Sequence, residues 1–238
     1  MSKRALIALC IIFMLGTLAQ LATADGEQWT VNFAEGQWDT GSWTPLRLPL
    51  HPEVQTLTQR PDCLGTDSFT DEQKKAHLDN VLLMTDTGIT EGQFEVVFSI
   101  GPERGAAPGF FLSPTYTDDA LETGIAVFVA DYTMAVWLVH TDPETRETGY
   151  THLVRVNRYR EPGVQHVLRC RYNKASKSMA FQVDDSDVVM LRLPEFDINS
   201  EIGIWGCHGT CNFYSVTIKA DGTLPWKAEA PVTAANDG

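Results

Sequence analysis

The sequence is poor in positive charge. Against 31 Asp and Glu it sets 18 Lys and Arg, for a net charge of −13. An acidic surface argues against nucleic acid or anionic lipid as partner, because both are bound through Lys and Arg. After residues 5–18 no run is apolar enough to span a membrane. No repeat recurs at a fixed period, which argues against a propeller or a solenoid. There is no phosphate loop, no dinucleotide fingerprint and no Ser-His-Asp order. Gly101, Gly105 and Gly109 are scattered through a loop and lack the strand-to-helix setting of a nucleotide site. No motif specifies a reaction.

What is present begins with an export signal. Lys3 and Arg4 precede the apolar stretch 5–18, and Ala22-Thr23-Ala24 is a small-x-small cleavage site. The apolar stretch is too short for a spanning helix. Cleavage after Ala24 would leave 214 of the 238 residues, and loss of Lys3 and Arg4 moves the net charge from −13 to −15. The expected division is a signal peptide over 1–24, one domain over 25–220 and a polar, Pro/Ala-rich tail over 221–238. The expected location is secreted or periplasmic.

Four cysteines remain after cleavage: Cys63, Cys170, Cys207 and Cys211. An even count behind an export signal points to disulfides. The short spacing of Cys207 and Cys211 across a tight turn favours their pairing, which leaves Cys63 with Cys170. An oxidising compartment disfavours the alternative, a zinc site built from these cysteines and His208.

Most of the chain reads as short strands. QFEVVFSI (93–100) alternates Phe94, Val96 and Phe98 with Glu95 and Ser99, the period of a half-buried strand. GIAVFVA (124–130) is apolar on both faces, as a strand between two layers is. Further strands are expected near 81–85, 109–113, 133–140, 151–157, 165–172, 178–183 and 188–193. EIGIWGCHGTCNFYSVTIK (201–219) reads as a closing hairpin, with Gly209 supplying the positive φ of its turn. Thr70-Asp71-Glu72-Gln73 is a capping box that predicts a short helix over 71–77, inside an irregular N-terminal loop. Eleven to thirteen strands with almost no helix imply an all-β, two-layer antiparallel sandwich.

The strand 93–100, Gly109-Phe110-Phe111, the segment QHVLRCRYNKASKSMAFQVDDSDVV (165–189) and the closing 201–218 together resemble the concanavalin A-like lectin/glucanase jelly rolls. VNFAEGQWDTGSW (31–43) looks like that superfamily's first strand and turn. The nearest likeness is to the bacterial 3-keto-disaccharide hydrolase-like and laminin-G-like domains. The glucanase branch carries a Glu-x-Asp-x-x-Glu strand with the two catalytic glutamates. This sequence has no such strand. Its acidic cluster Asp142, Glu144 and Glu147 is broken by Pro143, and Asp184-Asp185-Ser186 stands where a glycine turn is usual.

The resemblance implies carbohydrate recognition, with three outcomes: non-catalytic glycan binding, glycoside hydrolysis of the 3-keto-disaccharide type, or a laminin-G-like interaction domain. Aromatic rings stack on sugar faces, and polar groups bond sugar edges. Tyr132, Trp137, His140 and Tyr116 are the expected ligand contacts. Asp131, at the end of a central strand, and Glu95 are the candidate acids if the protein is an enzyme. Asp118, Asp119 and Glu122 form an acidic loop able to offer hard oxygens to calcium. No other cofactor is expected.

Overall fold

A computed structural model describes residues 28–50, 54–75, 80–103 and 105–220. The expected signal peptide, the tail 221–238 and His77 lie outside the described residues. The architecture is an all-β jelly-roll sandwich of two antiparallel sheets.

Sheet A holds eight strands: β1 (Gln28–Asn32), β3 (Thr58–Gln59), β4 (Leu64–Gly65), β6 (Glu91–Ile100), β11 (Gln165–Asn173), β12 (Ser178–Val183), β13 (Val189–Arg192) and β15 (Cys211–Lys219). Its order is β13-β12-β11-β6-β15-β4-β3, and β1 also pairs with β15. Sheet B holds β2 (Thr44–Leu46), β5 (Asn80–Asp86), β7 (Ala107–Thr117), β8 (Ala120–Ala130), β9 (Thr133–Thr141), β10 (Thr148–Asn157) and β14 (Glu201–Cys207), in the order β10-β9-β8-β7-β14-β5-β2. Among the described residues one α-helix, α1 (Asp71–Lys75), lies in the N-terminal loop region. It is capped as its sequence predicts. Gln73 N–H donates to Thr70 Oγ1 (3.1 Å), and Thr70 N–H donates to Gln73 Oε1 (2.8 Å).

Period-2 alternation builds the core. Phe94, Val96 and Phe98 point from β6 into the space between the sheets, where Phe110, Val127, Val136 and Ile204 meet them from sheet B. Phe94 and Phe110 stack across that space with ring centroids 3.7 Å apart. Each such ring removed from water contributes about 2–3 kcal/mol. Phe33, Trp38 and Trp43 close one edge as an edge-to-face triad. The alternate residues of β6 and β11 face outward from sheet A, where Glu95 Oε2 accepts from Arg169 Nε at 3.2 Å.

The closing segment is not a hairpin. β14 belongs to sheet B and β15 to sheet A, so residues 208–210 carry the chain from one sheet to the other. His208 takes the positive φ (63°) at this corner. Gly209 serves by its lack of a side chain, since a Cβ there would lie 2.9 Å from the Ala106 Cβ.

This corner also corrects the expected disulfides. All four described cysteines are buried, and none is disulfide-bonded. The Cys207 side chain lies with Trp205 on the outer face of sheet B, its thiol directed at the Ala107 carbonyl (3.2 Å). Cys211 points between the sheets, its thiol directed at the Cys207 and Gly209 carbonyls (3.6 Å each). Residues on strands of different sheets are not cross-strand neighbours, so the spacing argument fails. Cys63, beside β4, is three strand positions from Cys170 on β11. That is roughly 14 Å, beyond the reach of a disulfide. Burial pushes the Cys211 thiol up to about 12 and the Cys63 thiol up to about 11, which leaves both unreactive near neutrality. A thiol titration of non-reduced, denatured protein lacking residues 1–24 is expected to count all four. A count of two or none would restore the bridges.

Glu103 ties the corner down. Its carboxylate accepts from Ser68 Oγ (2.6 Å), Thr210 Oγ1 (2.8 Å) and Thr210 N (3.3 Å). Burial raises its pKa, but these hydrogen bonds outweigh burial and bring it from 4.5 down to about 2. The folded value lies below the unfolded one. The clamp therefore contributes stability that is complete above about pH 4.5 and is lost as pH falls toward about 2. Solvent screening holds that contribution to about 1 kcal/mol. Thermal melts between pH 6 and pH 2 should show a shallower acid decline for Glu103→Gln than for wild type. Parallel declines would contradict the clamp.

Candidate functional site

A groove of about 730 Å³ runs over the outer face of sheet B, the face turned away from sheet A. Strand phase creates it. Ile202 and Ile204 of β14 point into the sandwich, so Trp205 and Cys207 emerge on the other side. Val127 and Val129 of β8 point inward, so Phe128 and Ala130 emerge outward. Val136 of β9 points inward, so Ala135 and Trp137 line the groove. β10 contributes Tyr150, His152 and Arg155, with a register shift between His152 and Val154 that changes its phase.

Aromatic rings form the floor and one wall. Trp205 is almost fully buried, packed against Phe111 at 5.2 Å and edge-on to Phe128 at 4.7 Å. Its Nε1–H donates to Asn80 Oδ1 at 3.0 Å. Tyr150 is exposed, with its ring 6.4 Å from Trp205. Trp137 is half-buried and packs on the His152 imidazole at 4.5 Å. Arg155 Nε donates to Thr133 Oγ1 (3.1 Å) and Asn157 Oδ1 (3.0 Å), which fixes the guanidinium plane at one end. Among the described residues that line the groove there is no Asp or Glu. A smaller cavity of about 360 Å³ on sheet A is bordered by Glu91, Arg171 and Ser178, and its one aromatic neighbour, Tyr172, is buried.

Of the expected ligand contacts, Trp137 lines the groove. Tyr132 sits in the turn between β8 and β9, exposed, with its ring 5.1 Å from Tyr159. His140 lies near the far end of β9, its imidazole against Gly149. Tyr116 is near the end of β7, where burial and then the neighbouring Glu201 raise its pKa. Burial likewise raises Glu201, more than the Tyr116 hydrogen bond lowers it. None of these three borders the groove among its described lining.

The structure does not bring the two candidate acids together. Asp131 occupies the β8–β9 turn, where its carbonyl accepts from Arg160 N–H at 2.5 Å. Glu95 is on the outer face of sheet A, ion-paired with Arg169. The groove is on the opposite side of a sandwich whose sheets stack about 10 Å apart. Asp118 and Asp119 form the β7–β8 turn, both with positive φ, and Asp119 Oδ1 pairs with Arg47 Nε at 2.8 Å. The cation that this loop meets is a guanidinium. Among the described residues no cluster of three His, Cys, Asp or Glu is arranged to hold a metal.

The residues that sequence reasoning missed are Trp205, Phe128, Tyr150, His152, Arg155 and Asn80. A signal existed for two of them. Trp205 is out of phase with Ile202 and Ile204, and Phe128 is out of phase with Val127 and Val129, so each large ring had to face away from the core.

No protein-family model and no curated protein matches the chain. Solved structures do. A carbohydrate-binding module, CBM66 from Bacillus subtilis, is 12% identical with a TM-score of 0.52, covering 75% of this chain and 95% of that one. SCLam, a non-specific endo-β-1,3(4)-glucanase from family GH16, is 12% identical with a TM-score of 0.55, covering 83% of this chain and 92% of that one. LamA of Z. galactanivorans, solved with laminaritriose and laminaritetraose, is 15% identical with a TM-score of 0.53, covering 83% of this chain and all of that one. The fold is a concanavalin A-like jelly roll. Identities this low establish the architecture alone.

Proposed function

We propose that this jelly roll is an exported glycan-binding protein that holds a sugar chain along the sheet B groove without cleaving it. One observation carries the reading: the groove is an aromatic trough whose described lining has no carboxylate. Trp137 and Tyr150 present ring surface on which the apolar face of a pyranose stacks, while His152 and Arg155 bond its hydroxyl edges. The usual glycoside hydrolase uses a carboxyl pair, about 5–5.5 Å apart for retention or about 6.5–9.5 Å for inversion. The groove's described lining supplies neither. Both kinds of protein, binding module and glucanase, share this architecture, so lining chemistry separates them. Export rests on the N-terminal apolar run and its cleavage site, since four described cysteines without a disulfide do not argue for an oxidising compartment.

A glycan array probed with the mature protein should give binding to at least one oligosaccharide class. Prolonged incubation with that oligosaccharide should give no product by chromatography. An array with no binding overturns the reading, and cleavage replaces binding by hydrolysis.

A further inference from the structure

We infer that the groove selects an acidic glycan, one carrying a carboxylate or sulfate on its sugar units. The inference rests on the glycan-binding reading and narrows it. The protein as a whole carries 31 acidic against 18 basic residues. The groove departs from that balance: its described lining includes one Arg, Arg155, and no acidic residue. A lining without an Asp or Glu sets no like charge of its own against an anionic ligand.

Arg155 is the residue fitted to the charge. Its Nε is engaged by Thr133 and Asn157, and Thr133 Oγ1 is itself anchored on the Val156 carbonyl at 3.3 Å. Among the described residues no carboxylate ion-pairs with Arg155. The terminal nitrogens thus sit on an oriented plane, the geometry that grips a carboxylate or sulfate through two parallel hydrogen bonds. Arg155 pairs in register with Ala135 and His152 with Trp137. The outward positions Ala135 and Trp137 are one pleat repeat apart, roughly 7 Å. A sugar stacked on the Trp137 indole therefore places the acidic group of the same or the next unit against the guanidinium, over the small side chains of Ala130 and Ala135.

The test is calorimetric titration of the mature protein with three oligosaccharide sets of equal length: neutral glucans, uronates and sulfated galactans. The expected result is that a uronate or sulfated set binds at least about tenfold more tightly than the neutral set, with affinity falling as salt rises. Arg155→Gln should remove that advantage, and Arg171→Gln, on the outer face of sheet A, should not. Which acidic set binds separates carboxylate from sulfate recognition. Preferential binding of neutral glucans, or an acidic preference that survives Arg155→Gln, overturns the inference while leaving glycan binding intact. Failure of all three sets sinks both.

Discussion

Replacing Trp205 by Ala is expected to lower the unfolding free energy by about 4 kcal/mol. The side chain is fully buried although it lies on the outer face of its sheet, because Phe111, Phe128, Leu48 and Cys207 pack around it as a second apolar cluster. Truncation forfeits the transfer energy of an indole and leaves a cavity continuous with the groove. Water can enter a cavity open to solvent, which makes relaxation easier and puts the cost in the middle of the usual range for large aromatic deletions. Trp205→Phe keeps most of the packing but removes the N–H donated to Asn80, and about 1–2 kcal/mol is expected. Urea unfolding of the three proteins measures both values. A cost below about 1 kcal/mol for Trp205→Ala would mean that this cluster contributes nothing to the fold, and that the groove floor is not rigid.

Trp137→Ala separates binding from stability. The indole is half-buried at the groove wall, backed by the His152 ring on one side. It has less surface to lose to folding than Trp205 and more to offer a ligand. We expect glycan affinity to fall at least tenfold, about 1.4 kcal/mol, which is the scale of an aromatic anchor at a recognition surface. Unfolding should shift by less than the Trp205→Ala change, and Trp137→Phe should recover part of the affinity. Unchanged glycan affinity in Trp137→Ala would place the ligand elsewhere on the molecule.

The layered β architecture was legible because alternation is local. Phe94, Val96 and Phe98 mark the inner face of β6, and the capping box marks α1, with no knowledge of distant partners. Assignment of strands to sheets was not legible. Residues 201–219 have the composition of a hairpin, yet a corner between sheets uses the same tight turn, and only the positions of β5, β7 and β6 decide between them. The disulfide expectation failed with it, since Cys207 and Cys211 would face each other only on paired strands.

The site divides in the same way. Trp137 was identifiable as an aromatic residue on a central strand. His140, three positions further, falls on the opposite strand phase, a conflict that period 2 already contained. The groove's other members come from β5, β7, β8, β10 and β14 as well as β9, strands that are distant in sequence, and β10 changes phase at its bulge. Glu95 alternates away from Phe94 and Val96, so its outward position was readable, but which sheet carries the groove was not.

The most direct test of a non-catalytic glycan groove on sheet B is a crystal structure of the mature protein soaked with a binding oligosaccharide. The expected result is an intact sugar chain in the groove, one ring stacked on Trp137 and a substituent within hydrogen-bond distance of Arg155. A ligand bound on sheet A, or a cleaved product lying between two carboxylates, would contradict it.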